Sequence, residues 1–341
     1  MPKTIRNQYD KYLTYDNLMK AHLLTRKGKR VKREVVLFDE KKEDYIEWLL
    51  NELKTGHYKH GGYRRFMVKV PKMRIIEASR YIDRIVHRWV VDWFLKPYFE
   101  PQFIHTTYAC IKQRGVHNAT IDVQTAMRHC KRIWGDYYIL KMDVAKYFKN
   151  IDREILLEIL ERKINDYKLM YVLKQIIYST KDEKGLPIGN YTSQTFANIY
   201  LNEVDQYAKH VLKCKYYFRY MDDTIILLKT KDEAKDVLEK ISKFLKENLK
   251  LELNNKTQIF KSKQGVNFCG YKINEYRIKI RTRGKKSLKH KIKVLRYQIR
   301  SGNMSTLSSY KYLCGHLGYI KIADVHNLKT KLFIEGEEGI E

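Results

Sequence analysis

The stretch from Cys214 to Lys229, CKYYFRYMDDTIILLK, constrains the fold more than any other part of the chain. Two apolar, β-prone runs, Tyr216 to Tyr220 and Thr224 to Leu228, flank the adjacent carboxylates Asp222 and Asp223. Aromatic and β-branched residues on both sides of a short acidic break predict a β-hairpin with its acids at the tip. On a straight strand neighbouring side chains point to opposite faces, so only one of two can aim at a given site. A tight turn relaxes that limit. Two anions held together repel, and a divalent cation relieves the repulsion. Asp is also common in ordinary turns, so the hairpin acquires chemical meaning only if other acids join it.

Charge says what kind of partner such a site would serve. The 341 residues suffice for two domains, or for one with sub-domains, and 44% hydrophobic content excludes a disordered chain. Lys and Arg number 68 against 39 Asp and Glu, a net charge of +29 that would repel itself without a polyanion. The 27 Tyr residues suit stacking on nucleobases. The basic run Lys27 to Arg33 reads equally as phosphate contact or as a solvated face. No apolar run is long enough to span a bilayer, and Met1 to Asp10 lacks the apolar core of a signal peptide, so the expected location is cytoplasmic with no membrane partner. Cys110, Cys130, Cys214, Cys269 and Cys314 are odd in number and lack zinc-site spacing, which predicts reduced, mostly core residues. His57 and His60 have no second pair to complete a zinc site and read as loop histidines.

Taken in order, the chain opens with a basic, helix-like extension in which Glu43 to Leu53 has helical apolar spacing and stops near Gly56. A strand over Phe66 to Val70 ends at Pro71, and a helix is expected from Arg80 to Pro97. Tyr108 to His117 reads as a loop and Ala119 to Ile133 as a helix. Tyr137 to Asp143 is a strand ending in an acid, and Asp152 caps the next helix. A Gly/Pro loop, Gly185 to Asn190, leads into a helix from Ser193 or Thr195 to about Leu212. After the hairpin, Asp232 to Leu249 is an amphipathic helix, and Leu251 to Lys256 and Val266 to Tyr271 are expected edge strands. Beyond Arg281 the chain is basic and helical, with an acidic tail from Glu335. This is an α+β order with a mainly antiparallel sheet.

Three acids, Asp143, Asp222 and Asp223, therefore stand at strand ends or turns. Around them the sequence resembles the reverse transcriptases. KMDVAKYF at Lys141 to Phe148 is similar to their first catalytic motif, and Tyr220-Met221-Asp222-Asp223 to the Tyr-x-Asp-Asp box. GLPIGNYTSQ at Gly185 to Gln194 resembles the motif between them. Lys256, within LNNKT, matches the lysine of the next motif, and Phe268-Cys269-Gly270-Tyr271 resembles the primer-grip turn. Pro71-Lys72-Met73-Arg74 and Asp83 to His87 resemble fingers motifs of bacterial, group II intron-like enzymes. The likeness runs in the correct order over roughly residues 60 to 320.

The resemblance implies a right-hand polymerase. Residues 1–60 would form a basic helical extension, 61–280 fingers and palm, the palm an antiparallel sheet backed by helices, and 281–341 a helical thumb with an acidic tail. It implies RNA-directed DNA synthesis with two Mg²⁺ ions, for which Mn²⁺ can substitute, on a structured template RNA, with a DNA or RNA primer, dNTPs and an accessory protein. Asp143 and Asp222 would ligate both ions, Asp223 would be a weaker or indirect ligand, and the Val144 carbonyl could complete a shell. Phe148 stands where the family carries its sugar gate. Lys72 and Arg74 would hold the triphosphate, Lys256 would face the leaving pyrophosphate, and Ile188, Gly189 and Gln194 would line the nucleotide. Tyr220, Met221, Cys269, Gly270 and Tyr271 would seat primer and template. Thumb residues Lys289, Lys291, Lys293, Arg296 and Arg300 would meet duplex phosphates, with Tyr310, Tyr312 and Tyr319 on sugars.

One motif narrows the resemblance. Most intron-type enzymes read Gln-Gly-x-x-x-Ser-Pro where this chain reads Ile188-Gly189-Asn190-Tyr191-Thr192-Ser193-Gln194. That form is similar to the reverse transcriptases of diversity-generating retroelements and of some antiphage-defence systems. Tyr108 to Gly115, YACIKQRG, matches the subfamily loop in part, lacking Arg directly after the Cys. A defence enzyme with template-independent or protein-primed synthesis, and an inactive RNA-binding module, are the alternatives. Primer dependence separates the first of these from a retroelement enzyme, and metal-dependent dNTP incorporation separates both enzymes from the module.

Overall fold

The computed structural model describes residues 4–69 and 73–333. Pro71, Lys72 and the acidic tail, singled out above, lie outside the described residues. In chain order the strands are β1 (Ile5–Arg6), β2 (Tyr63–Val68), β3 (Arg74–Ser79), β4 (Tyr138–Asp143), β5 (Ile164–Asn165), β6 (Tyr216–Tyr220), β7 (Asp223–Leu228), β8 (Gln258–Lys261), β9 (Val266–Phe268), β10 (Tyr271–Ile273) and β11 (Ile278–Ile280). The chain forms two compact units that interleave in sequence. The first gathers the chain up to Ile111 with Asp143–Lys213 and Glu239–Lys256, and the second gathers Lys112–Met142, Cys214–Leu238 and the described chain from Thr257 on.

The first unit is mostly helical. Helix Lys42–Thr55 turns Ile46, Leu49 and Leu53 inward and stops at Gly56, whose φ of +76° provides the left-handed cap. The expected helix from Arg80 runs as Tyr81–Val90, widens into a π turn at Val91–Leu95 and resumes over Lys96–Phe99. Trp89, Val90, Val91 and Phe94 there are fully buried. β2 and β3 pair antiparallel from Tyr63 with Ser79 to Val68 with Arg74. Asp152 caps helix Arg153–Glu161 by accepting from the Glu154 and Ile155 amides, as its position predicts. Helix Tyr167–Ile177 has no counterpart in the sequence reading.

The helix expected from Ser193 or Thr195 starts earlier, as Tyr191–Gln206, and passes into a π turn at Tyr207–Val211. Its start was hidden because it is buried nearly all round, polar residues included. Asn198 Nδ2 donates to the Ala109 carbonyl (2.7 Å), and Thr107 Oγ1 donates to Asp205 (2.9 Å). Buried polar groups satisfied in this way leave no apolar stripe to read.

The loop before that helix is locked. Arg153, itself buried, donates from Nε to the Gly185 carbonyl (2.9 Å) and from Nη2 to Thr180 Oγ1 (2.5 Å). Gly185 has a φ of +86°, and a Cβ there would sit 2.7 Å from the Lys149 carbonyl oxygen. Both the backbone conformation and the space require glycine. Gly185→Ala is therefore expected to lower stability by about 3 kcal/mol, read as a shifted unfolding midpoint in denaturant.

The second unit holds a four-stranded sheet in the order β6-β7-β4-β8. β6 and β7 pair antiparallel with Tyr220 opposite Asp223, and β4 pairs antiparallel with β8. The hairpin is as expected, with one refinement: only Met221 and Asp222 form the tip, and Asp223 is already the first residue of β7. Helix Val116–Trp134 turns Ala119, Val123, Met127 and Cys130 inward, and Trp134 meets the Tyr216 ring edge-on at 5.5 Å. Helix Lys231–Leu249 opens with a reciprocal cap, Thr230 Oγ1 accepting from the Glu233 amide while Glu233 Oε2 accepts from the Thr230 amide.

β9, β10 and β11 form a second antiparallel sheet. Ile280, Leu288, Ile292, Ile320 and Val325 then make the core of the helices Thr282–Arg300, Thr306–Ile320 and His326–Phe333. The strand expected over Leu251 to Lys256 does not form; in the first unit Leu253 makes only an isolated bridge with Val144, and pairing resumes at β8. None of the five cysteines forms a disulfide, but only Cys130 and Cys214 are buried, fewer than expected.

Candidate active site

Asp143 is the last residue of β4, Asp222 lies in the β6–β7 turn and Asp223 opens β7, all three half-buried. The turn is held from inside. Arg219, 1% exposed, donates from Nη1 to the Met221 carbonyl (3.0 Å), and Met221 takes a φ of +55°. A buried guanidinium spent on a turn carbonyl fixes where Asp222 begins.

In the first unit Asp143 is bound twice by Asn254. The Asn254 amide donates to the Asp143 carbonyl (2.8 Å), and its Nδ2 donates to Asp143 Oδ2 (2.6 Å). Asn254 Oδ1 then accepts from the Lys256 amide (2.6 Å), which places the exposed Lys256 two residues from this contact. The Val144–Leu253 bridge uses the Asp143 and Glu252 carbonyls, so its two hydrogen bonds do not spend the Val144 carbonyl. In the second unit Lys141 Nζ lies 3.1 Å from both oxygens of Asp223 and also donates to the Asn267 carbonyl on β9. Sequence reasoning missed Asn254 and Lys141 as partners of the acids. The one available signal was that Lys141 and Asp143, two apart on a strand, share a face.

Among the described residues no group of three or more His, Cys, Asp and Glu side chains is drawn together as a metal cluster. The donors that Asp143, Asp222, Asp223 and Val144 offer are all oxygens, which fits a hard cation such as Mg²⁺ and not a thiolate- or imidazole-bound metal. Burial, with Asp223 nearby, pushes the Cys269 thiol up.

The remaining site residues fall into two groups. In the first unit Phe148 is half-buried in the short helix Tyr147–Asn150, and its carbonyl accepts from the Leu186 amide (2.7 Å). Ile188 lines a cavity of about 550 Å³ with Arg65, Ile75, Glu77 and Lys149, and its carbonyl accepts from the Glu77 amide (3.0 Å). Gly189 has a φ of +129°, and a Cβ there would press on Ile76 Cγ2 (3.1 Å) and the Glu77 carbonyl (3.2 Å). The β2–β3 hairpin, whose Arg74 is exposed, thus lies directly against the Ile188–Gly189 turn. Asn190 Nδ2 donates to the Tyr63 hydroxyl (2.8 Å), which also meets Ser179 Oγ (2.6 Å). Burial pushes the Tyr63 phenol up to about 12, keeping it protonated in this network. Gln194 is exposed and accepts from Cys110 Sγ (3.4 Å). His60 is a loop residue as expected, but it packs against buried His87, with their Nε2 atoms 3.1 Å apart.

In the second unit the expected primer-grip turn is a tight reversal between β9 and β10, with Cys269 at φ +49° and Gly270 at φ +91°. Tyr319 donates from its hydroxyl to the Gly270 carbonyl (2.6 Å), and its ring stacks on Tyr271 at 4.8 Å. Tyr319 thus braces the turn from within the protein. Tyr310 and Tyr312 are exposed, with Lys291 Nζ 4.9 Å from the Tyr312 ring centroid, and Arg296 donates to the Leu332 carbonyl (2.6 Å).

The sequence model of the family described as Reverse transcriptase (RNA-dependent DNA polymerase) matches residues 59–273, well over half of the chain. Protein YkfC of Escherichia coli strain K12 is 27% identical over 273 residues, covering 67% of this chain and 71% of that protein. The group II intron-encoded protein LtrA of Lactococcus lactis subsp. cremoris is 24% identical over 307 residues, covering 68% of this chain but 50% of LtrA, so the chain matches only half the length of that relative. Among solved structures, telomerase from Candida albicans aligns with a TM-score of 0.51 at 13% identity, over 85% of this chain and 62% of that one. That likeness is one of fold alone, and it agrees with the expected polymerase fold. No helix among the described residues is long and apolar enough to cross a membrane. With the family's motifs standing at strand ends and turns in their expected order, the chain belongs to the reverse transcriptases, the RNA-dependent DNA polymerases.

Proposed function

We propose that the chain extends a primer on a dedicated structured RNA, with Asp143 and Asp222 as the principal ligands of two Mg²⁺ ions. The supporting observation is the sheet order β6-β7-β4-β8, in which the strand ending in Asp143 neighbours the strand that Asp223 opens. When bound, the ions would activate the primer hydroxyl and hold the triphosphate. The chain's own residues do the rest. Asn254 orients the Asp143 carboxylate, Arg219 fixes the turn that presents Asp222, and Phe148 sets the shape of the sugar site. The fingers hairpin offers Arg74 to the triphosphate. The β9–β10 turn, braced by Tyr319, seats the primer end. A template and primer are polyanions, which fits the net charge of +29.

The finer assignment is a retroelement enzyme of the diversity-generating kind, working in the cytoplasm with an accessory protein and copying with low fidelity. Its support is the departure from the intron-type pattern at Ile188 to Gln194. Gln194 stands where those enzymes carry Pro, and its amide oxygen accepts from the thiol of Cys110, in the loop that matches the retroelement subfamily only in part. Ile188 replaces an amide that would hydrogen-bond at the nucleotide, and an apolar side chain there offers no polar discrimination. Ile188→Gln is expected to lower misincorporation about tenfold, roughly 1.4 kcal/mol, read by sequencing the cDNA. Unchanged error rates would remove Ile188 from the fidelity account. Extension that depends on a primer supports this assignment, and equal synthesis without one moves it to the protein-primed or template-independent class.

A further inference from the structure

Lys141 has no role in the reading so far, yet it sits at a junction. It precedes Asp143 by two positions on β4, and its side chain is 22% exposed. Its ammonium lies 3.1 Å from both oxygens of Asp223, donating to Oδ2, and donates as well to the Asn267 carbonyl, so it bridges two partners. Asn267 is the middle residue of β9, and β9 leads straight into the Cys269–Gly270 turn. One side chain therefore ties a strand of the catalytic sheet, the carboxylate that opens β7 and the strand entering the turn at which the primer end is seated. All of these residues lie in the second unit.

We infer that Lys141 is a positioning residue that orients the Asp223 carboxylate and couples it to the β9–β10 turn, and that its positive charge holds the site's affinity for divalent cations below what the carboxylates alone would give. The inference rests on the polymerase reading above. Its physical content is a trade. A cation beside a carboxylate favours the ionised, fixed carboxylate but competes electrostatically with a metal ion approaching the same oxygens. Removing the charge should make the site bind ions more tightly and use them less well, because Asp223 loses its orientation and the turn its anchor. A lysine that only packs the sheet would show neither tighter ion binding nor a changed primer requirement.

Lys141→Met keeps the length and apolar stem and deletes the charge; Lys141→Arg keeps the charge. The test measures Mn²⁺ binding to the protein without nucleic acid by electron paramagnetic resonance, together with thermal melting, and then the Mg²⁺ and primer dependence of extension. For Lys141→Met the expected result is about tenfold tighter Mn²⁺ binding, a correspondingly lower half-saturating Mg²⁺, about tenfold lower kcat and a raised primer KM, with an unchanged melting temperature. Lys141→Arg should return each quantity to within about threefold of wild type. Unchanged or weaker Mn²⁺ binding in Lys141→Met would overturn the inference, whether or not activity falls, and a lower melting temperature would assign Lys141 to packing. A wild-type protein that neither binds Mn²⁺ nor extends a primer would instead overturn the polymerase reading, and the inference with it.

Discussion

Asp222→Ala is expected to abolish DNA synthesis, by at least about a thousandfold in the rate of the chemical step, which corresponds to roughly 4 kcal/mol of lost transition-state stabilisation. Asp222 is chosen over its neighbour because of where each stands. Asp223 is in the ladder opposite Tyr220 and is held by Lys141, so its removal also disturbs β7. Asp222 is in the turn, and the position of that turn is set by Arg219 bonding to the Met221 carbonyl. Asp222 lies outside both strands of the hairpin, so its truncation leaves the β6–β7 ladder in place and the melting temperature should fall by no more than a few degrees. Single-turnover extension beside a melting curve separates the two effects. Retention of a tenth or more of the activity would remove Asp222 from the metal site.

The second large effect is at Phe148. Phe148→Ala is expected to reduce discrimination against ribonucleotides about a hundredfold, chiefly through a lower KM for rNTPs, while dNTP incorporation changes little. The ring can act as a gate because its surroundings are fixed. Lys146 enters the short helix at φ +45°, Tyr147 donates from its hydroxyl to the Ala197 carbonyl (2.5 Å), and the Phe148 carbonyl is bonded to the Leu186 amide. Phe148 is itself half-buried, so its truncation should cost only about 1 kcal/mol of stability. Competition between rNTP and dNTP at one template position measures the ratio; an unchanged ratio would leave Phe148 a packing residue.

Much of this architecture is legible in the sequence wherever a local rule acts alone. The β6–β7 hairpin, the cap at Asp152 and the glycine stop at Gly56 follow from pattern and propensity, and each is present. The reading failed where tertiary contacts decide. Helix Tyr191–Gln206 buries Ser193, Asn198 and Asp205, so its polar residues mimic a loop. Leu251 to Lys256 has the composition of a strand, but Asn254 turns its side chain to Asp143 and the ladder stops at one bridge. The partners of the acids were out of reach for the same reason. Lys141 and Asp223 are 82 residues apart and Asn254 and Asp143 are 111 apart, and no spacing rule connects them. The acids themselves were legible because Asp143 and Asp223 stand at the ends of recognisable strands and Asp222 in the short turn between two of them.

The most direct test of RNA-directed DNA synthesis is extension of a primer annealed to an RNA of known sequence, with dNTPs and Mg²⁺, followed by sequencing of the product. The prediction is cDNA complementary to the template, dependent on the primer and on Mg²⁺, and lost in Asp222→Ala. Product that ignores the template, or no product on any primed RNA even with the RNA and protein that co-purify, would contradict it.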